Sequence, residues 1–160
     1  MKRILLFSTL FFGAVHIGFA GELGKPDGSP VRLGDSVDMV KQALGTDMNP
    51  ELDEETGILP ATLLRPRTSS IQLKTKGIRV FFNADKKAKT IRFDVPFKGR
   101  IAGIRIGETK EKLVEILGEP VKKIKFGTRE NNYIYYPDDA TTLNFMFSAE
   151  NTVETIFVAK

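Results

Sequence analysis

The chain has no cysteine and no tryptophan, and only one histidine, in 160 residues. Without cysteine there is no disulfide, no thiolate nucleophile or metal ligand, and no residue to carry an acyl anchor at a cleavage site. The histidine is His16, close to the start, so a chain trimmed beyond it holds neither imidazole nor thiol. That removes Ser-His-Asp and Cys-His catalysis, His-based zinc sites and thiol redox chemistry together. No Gly-x-Gly-x-x-Gly or phosphate-loop pattern occurs. The apolar run from Ile4 to Val15 is broken by Ser8 and Thr9 and falls short of the ~20 residues that a helix needs to span a bilayer.

What is present begins with a secretory layout. Lys2 and Arg3 precede the apolar stretch, and the small residues Gly18 and Ala20 follow it, which is the order of a signal peptide. Cleavage is expected after Ala20, leaving an exported, periplasmic chain from Gly21 onward with no stable membrane anchor. Loss of Lys2 and Arg3 leaves 22 basic residues against 20 acidic ones, a balance that calls for neither nucleic acid nor anionic lipid as partner. Stability must come from one ordinary core, and a chain of this size buries roughly 68–70% of its unfolded surface.

Two stretches of the chain are written twice. Val31-Arg32-Leu33-Gly34 opens a run closing at Leu44-Gly45, and Ile104-Arg105-Ile106-Gly107 opens one closing at Leu117-Gly118, an offset of 73 residues at both ends. Ile78, Val80, Phe82, Ala84, Asp85, Thr90, Ile91 and Phe93 then match Leu143, Phe145, Phe147, Ala149, Glu150, Thr155, Ile156 and Val158 at an offset of 65. The difference places an eight-residue insertion in the first copy, between Thr46 and about Ser69. It holds the acidic run Asp53-Glu54-Glu55, a Thr56-Gly57 turn and the stretch from Ile58 to Arg67.

The spacing predicts a helix over 37–44, with Ser36 as its cap, Val37, Val40, Ala43 and Leu44 as its apolar stripe, and Gly45 in a left-handed closing position. A second helix repeats these devices after Thr109, with Leu113, Ile116 and Leu117 as the stripe, Gly118 as the close and Pro120 beyond it. After each helix the period changes from 3.6 to 2, with hairpins predicted around Asn83-Ala84-Asp85 and Ser148-Ala149-Glu150-Asn151. Helices followed by consecutive strands imply an α+β fold with an antiparallel sheet. The expected organisation is a signal peptide over 1–20, a flexible lead over 21–30, and two tandem helix-plus-sheet units, 31–97 and 98–160, forming one broad sheet surface.

The phrase from Ile104-Arg105-Ile106-Gly107-Glu108-Thr109 to Leu117-Gly118-Glu119-Pro120, followed by strands carrying Tyr133, Tyr135 and Phe145, resembles the signature of a superfamily of small envelope domains. That superfamily includes the outer-membrane assembly lipoproteins (SmpA/OmlA) and the tandem-unit β-lactamase inhibitory proteins. The resemblance runs from about Val31 to Val158. It implies two small sheets side by side, presenting one surface against which a protein partner docks. The lipoproteins carry an anchoring cysteine and the inhibitory proteins a disulfide, and this chain has neither; the matching residues are structural ones, so no site residue is carried over.

Candidate site residues therefore come from strand alternation. If Ile78, Val80 and Phe82 point inward, Arg79 and Phe81 point outward; with Leu143, Phe145 and Phe147 inward, Asn144 and Met146 face out. Arg92, Phe157, and either Tyr133 with Tyr135 or Ile134 with Tyr136 complete this outer face. The candidate partner-binding set is Arg79, Phe81, Arg92, Tyr133, Tyr135, Asn144, Met146 and Phe157, supported by Asp53, Glu54 and Glu55 from the insertion. Arginine, tyrosine, phenylalanine and methionine are enriched at protein interfaces; the competing reading is that these side chains form a second, minor core. The acidic run lacks the apolar surroundings that raise a catalytic carboxyl's pKa and the spacing of a calcium loop. The expectation is a non-enzymatic binding protein with no cofactor, of inhibitor or immunity type. An envelope assembly factor and a carrier of a small apolar ligand are the alternatives.

Overall fold

A computed structural model describes residues 29–52 and 68–160. The expected signal peptide, most of the flexible lead, and the stretch holding Asp53, Glu54 and Glu55 lie outside the described residues. Among the described residues the fold is α+β, dominated by one eight-stranded antiparallel sheet with two helices.

Helix α1 runs Val37–Leu44. Ser36 caps it, its hydroxyl accepting from the Met39 amide at 3.4 Å, and Gly45 closes it at φ 65°, a conformation that glycine adopts without a Cβ penalty. Helix α2 runs Lys110–Leu117, with Thr109 accepting from the Lys112 amide at 3.2 Å. Its end differs from expectation. Gly118 sits at φ 78°, ψ −168°, a positive-φ conformation open to glycine but outside the left-handed helical region, and turns the chain directly toward the strand that follows Pro120.

The strands are β1 (Glu51–Leu52), β2 (Ser69–Leu73), β3 (Ile78–Phe82), β4 (Ala88–Phe93), β5 (Lys122–Phe126), β6 (Arg129–Tyr135), β7 (Thr142–Phe147) and β8 (Val153–Ala159). They pair in the order β1-β2-β3-β4-β8-β7-β6-β5. In place of the two sheets implied by resemblance, β4 and β8 join the halves through Thr90↔Ala159, Ile91↔Val158, Arg92↔Phe157 and Phe93↔Ile156. The hairpins fall where turn chemistry placed them, with Lys86 and Asn151 at φ 56° and 59°.

Each helix is tied to the sheet through the turn before it. Arg32 donates its amide to Asp35 Oδ2 at 2.7 Å, Gly34 donates to the Ala88 carbonyl at 2.8 Å, and Ala88 donates back to Asp35 at 2.8 Å. Before α2, Arg105 donates to Glu108 Oε2 at 3.1 Å, Gly107 to Val153 at 2.7 Å, and Val153 to Glu108 at 2.8 Å. One core lies between these elements and the inner sheet face. Val40, Leu44 and Leu113 from the helices meet Val80, Phe82, Ile91, Phe93, Phe145, Ile156 and Val158 there. Ser29 is buried and bonded to Val31, so the ordered fold already includes the end of the expected lead.

Gly77, between a short 3-10 turn over Lys74–Lys76 and β3, adopts φ 64°. A Cβ there would run into the Asp94 carbonyl and approach the Phe97 nitrogen to 2.7 Å. Gly77→Ala is therefore expected to destabilise the protein by about 2–3 kcal/mol, from conformational strain and forced backbone displacement. Thermal denaturation beside Gly34→Ala, whose Cβ meets nothing within 4 Å, separates the displacement from the φ penalty.

Candidate functional site

Direct register partners in an antiparallel sheet share a face, and one row crosses the sheet on the side away from the core. It reads Gln72, Arg79, Arg92, Phe157, Asn144, Ile134 and Lys122 from β2 to β5. Ser70, Phe81 and Thr90 lie beside it toward one end of the strands, and Thr155, Met146 and Asn132 toward the other. Both helices place their buried residues in the core on the opposite face. Among the described residues no helix covers this row.

Arg79 and Arg92 oppose each other directly, a pairing of like charges that is unfavourable by itself. Each has local compensation. Arg79 Nε donates to Ser70 Oγ at 3.1 Å and its guanidinium lies 4.8 Å from the centroid of the Phe81 ring. Arg92 Nε pairs with Asp94, 2.9 Å from Oδ2, and its guanidinium lies 5.6 Å from the Phe157 centroid. Thr155 donates to Asp94 Oδ1 at 2.8 Å, fixing the carboxylate across the β4–β8 seam. Stacked on rings and held by hydrogen bonds, the arginines keep defined positions.

The β6–β7 half differs. Ile134 and Met146 are half-buried, and three asparagine carbonyl oxygens, Oδ1 of Asn131, Asn132 and Asn144, are buried with no hydrogen-bond partner among the described residues. Native structures rarely leave such groups unpaired.

The expectation placed Arg79, Phe81, Arg92, Asn144, Met146 and Phe157 on this face, and all six are there. Tyr133 and Tyr135 are corrected. Their partners are Phe145 and Leu143, both core residues, so they point inward and are only 5% and 7% exposed; Ile134 points outward between them. Tyr135 packs edge-on to Phe145 with centroids 5.8 Å apart, and its hydroxyl donates to the Gly118 carbonyl at 3.0 Å. Burial pushes its pKa upward. Tyr133 sits edge-on to Phe147 and donates to Glu130 Oε2 at 2.9 Å. Desolvation, then that hydrogen bond, raises its pKa, while the bond from Tyr133 holds Glu130 below the usual carboxylate range. Lys110 and Lys123 bring their ammonium groups within 5.4 Å and 5.2 Å of the Tyr133 ring. Lys110 also donates to the Glu130 carbonyl and to Asn151 Oδ1, so this cluster anchors α2 to the hairpins.

Asn132 is an outer-face residue that alternation alone did not single out. Its signal was its place two residues before Ile134, once that strand's phase is known. Among the described residues no group of three His, Cys, Asp or Glu side chains is placed to hold a metal ion, and a depression beside α1 is lined by Asp38, Lys41, Gln42, Gly45, Thr46 and Asp47.

No family model matches the chain, and no curated protein matches it. Among solved structures it is similar to a DUF4309 family protein (YjgB) from Bacillus subtilis subsp. subtilis str. 168, at 17% identity over 79% of each chain with a TM-score of 0.47.

Proposed function

We propose that this chain is an exported, periplasmic protein-binding module of inhibitor or immunity type, built from two tandem helix-plus-sheet units and acting through the outer sheet face. The observation that carries the reading is that face itself. From β2 to β5, six inter-strand spacings of ~4.8 Å and strands of ~17–23 Å give roughly 500–650 Å², of the order of the ~800 Å² that each partner contributes to a standard interface. Its centre holds ring-stacked arginines, phenylalanine, isoleucine and methionine, types suited to anchoring a protein partner.

Duplication is supported by the hydrogen bonds. Gly34 to Ala88 becomes Gly107 to Val153, and Asn83 to Lys87 becomes Ser148 to Thr152, each shifted by the offsets 73 or 65 that the sequence sets. The strand order reads the same from either edge when β1–β4 are matched to β5–β8. Export is supported by the order of charge, apolar run and small residues before Gly21. The reading is non-catalytic, since beyond His16 neither histidine nor cysteine remains.

The test is affinity capture from envelope extract, followed by binding measurements on the recovered partner. Phe81→Ala and Phe157→Ala should each weaken the complex roughly tenfold or more, about 2 kcal/mol for a central anchor, with the thermal midpoint preserved. Unchanged affinity for both variants would overturn the assignment of the outer face.

A further inference from the structure

We infer that the β6–β7 half of the outer face reads the main chain of an extended polypeptide segment through the side-chain amides of Asn132 and Asn144. The inference rests on the outer face being the docking surface and names what part of a partner is recognised there. Asn132 is only 7% exposed, and its Oδ1, like that of Asn144, has no hydrogen-bond partner among the described residues. An apolar side chain of similar shape would remove that penalty at either position, so each amide costs stability where it stands. Departures of this kind concentrate at functional sites.

The chemistry of the amide identifies the occupant. A carboxamide carries the same donor and acceptor as a peptide group, so it matches one backbone C=O and N–H at once. Its terminal torsion is broad and roughly two-fold, which lets either end turn outward when a partner arrives. The spacing fits as well. Asn132 opposes Met146 and Asn144 opposes Ile134, so the two amides are diagonal neighbours, roughly 7–8 Å apart. Peptide groups on one side of an extended chain recur every two residues, roughly 6.6–6.8 Å. Ile134, Met146 and Phe157 lie between and beside the amides, where they contact the segment's side chains. Addition to the sheet edge is the competing mode, and β5 opposes it with Lys122, Lys123 and Lys125 along its length.

The probe is a phage-displayed library of random peptides selected on the purified protein, with affinities of the enriched peptides measured in solution. Asn132→Leu and Asn144→Leu should each weaken binding roughly tenfold or more while the thermal midpoint holds or rises. N-methylation of the peptide should abolish binding at alternate amides and not at the intervening ones, a readout independent of how the protein variants fold. Peptides that lose affinity to Phe157→Ala but bind both leucine variants unchanged would overturn amide readout and leave the outer face standing. Peptides indifferent to all three variants would overturn both readings, and failure to enrich any peptide would overturn the recognition of extended segments.

Discussion

Tyr135→Ala should destabilise the protein by about 3–5 kcal/mol, the range for removing a buried aromatic ring. A change of that size lowers the thermal midpoint by roughly 10 °C or more in a domain of this length. The side chain is 7% exposed, packs edge-on against Phe145, and satisfies the Gly118 carbonyl at the end of α2. Truncation thus opens a cavity on the inner face and strands an acceptor. Tyr135→Phe isolates the hydroxyl and should lose only about 1 kcal/mol. The wild type should also lose more stability at alkaline pH than the phenylalanine variant, which keeps only the smaller contribution of Tyr133. The folded-state pKa of Tyr135 is raised by burial, so its contribution is whole below the unfolded value of ~10 and is lost as pH rises above it. Urea denaturation of the three proteins across that pH range checks both statements; a Tyr135→Ala midpoint within a degree or two of wild type would return the ring to the outer face.

A fragment ending at Phe97 should show no cooperative thermal transition, although it holds a complete helix and four strands. In the intact chain β4 is an interior strand with β8 on its open side. Cutting at Phe97 removes Val158 and Ile156 from beside Ile91 and Phe93, both fully buried in the intact protein. What remains is a half-core behind a hydrophobic edge strand, too small to balance its chain entropy and prone to associate through that edge. A sharp, reversible transition with native near-UV dichroism would show that the halves are independent domains.

Both helices and most strand faces were legible because their signals are local. Ser36 and Thr109 mark helix starts, and Arg79 between Ile78 and Val80 fixes the phase of β3. The phase of β6 was not legible, since Tyr133, Ile134, Tyr135 and Tyr136 offer no polar residue to mark the outer side. Only register with Phe145 and Leu143 decides it, and register is a non-local quantity. The same reason hid the β4–β8 junction. Its residues lie more than sixty positions apart, and each strand alone reads equally well as an edge. The carbonyl oxygens of Asn132 and Asn144, without a partner among the described residues, were invisible for a related reason: a buried polar group is recognised by what fails to reach it.

The place of β8 in the sheet order also bears on how the chain acquires its structure. A chain is made from its N-terminal side, so β1–β7 emerge before the strand that must sit between β4 and β7. Until Val153–Ala159 arrive, the two central edges have no partner, and the contacts that close them span long stretches of sequence, which makes folding slow. The nascent polypeptide thereby completes its sheet only when nearly all of it has emerged.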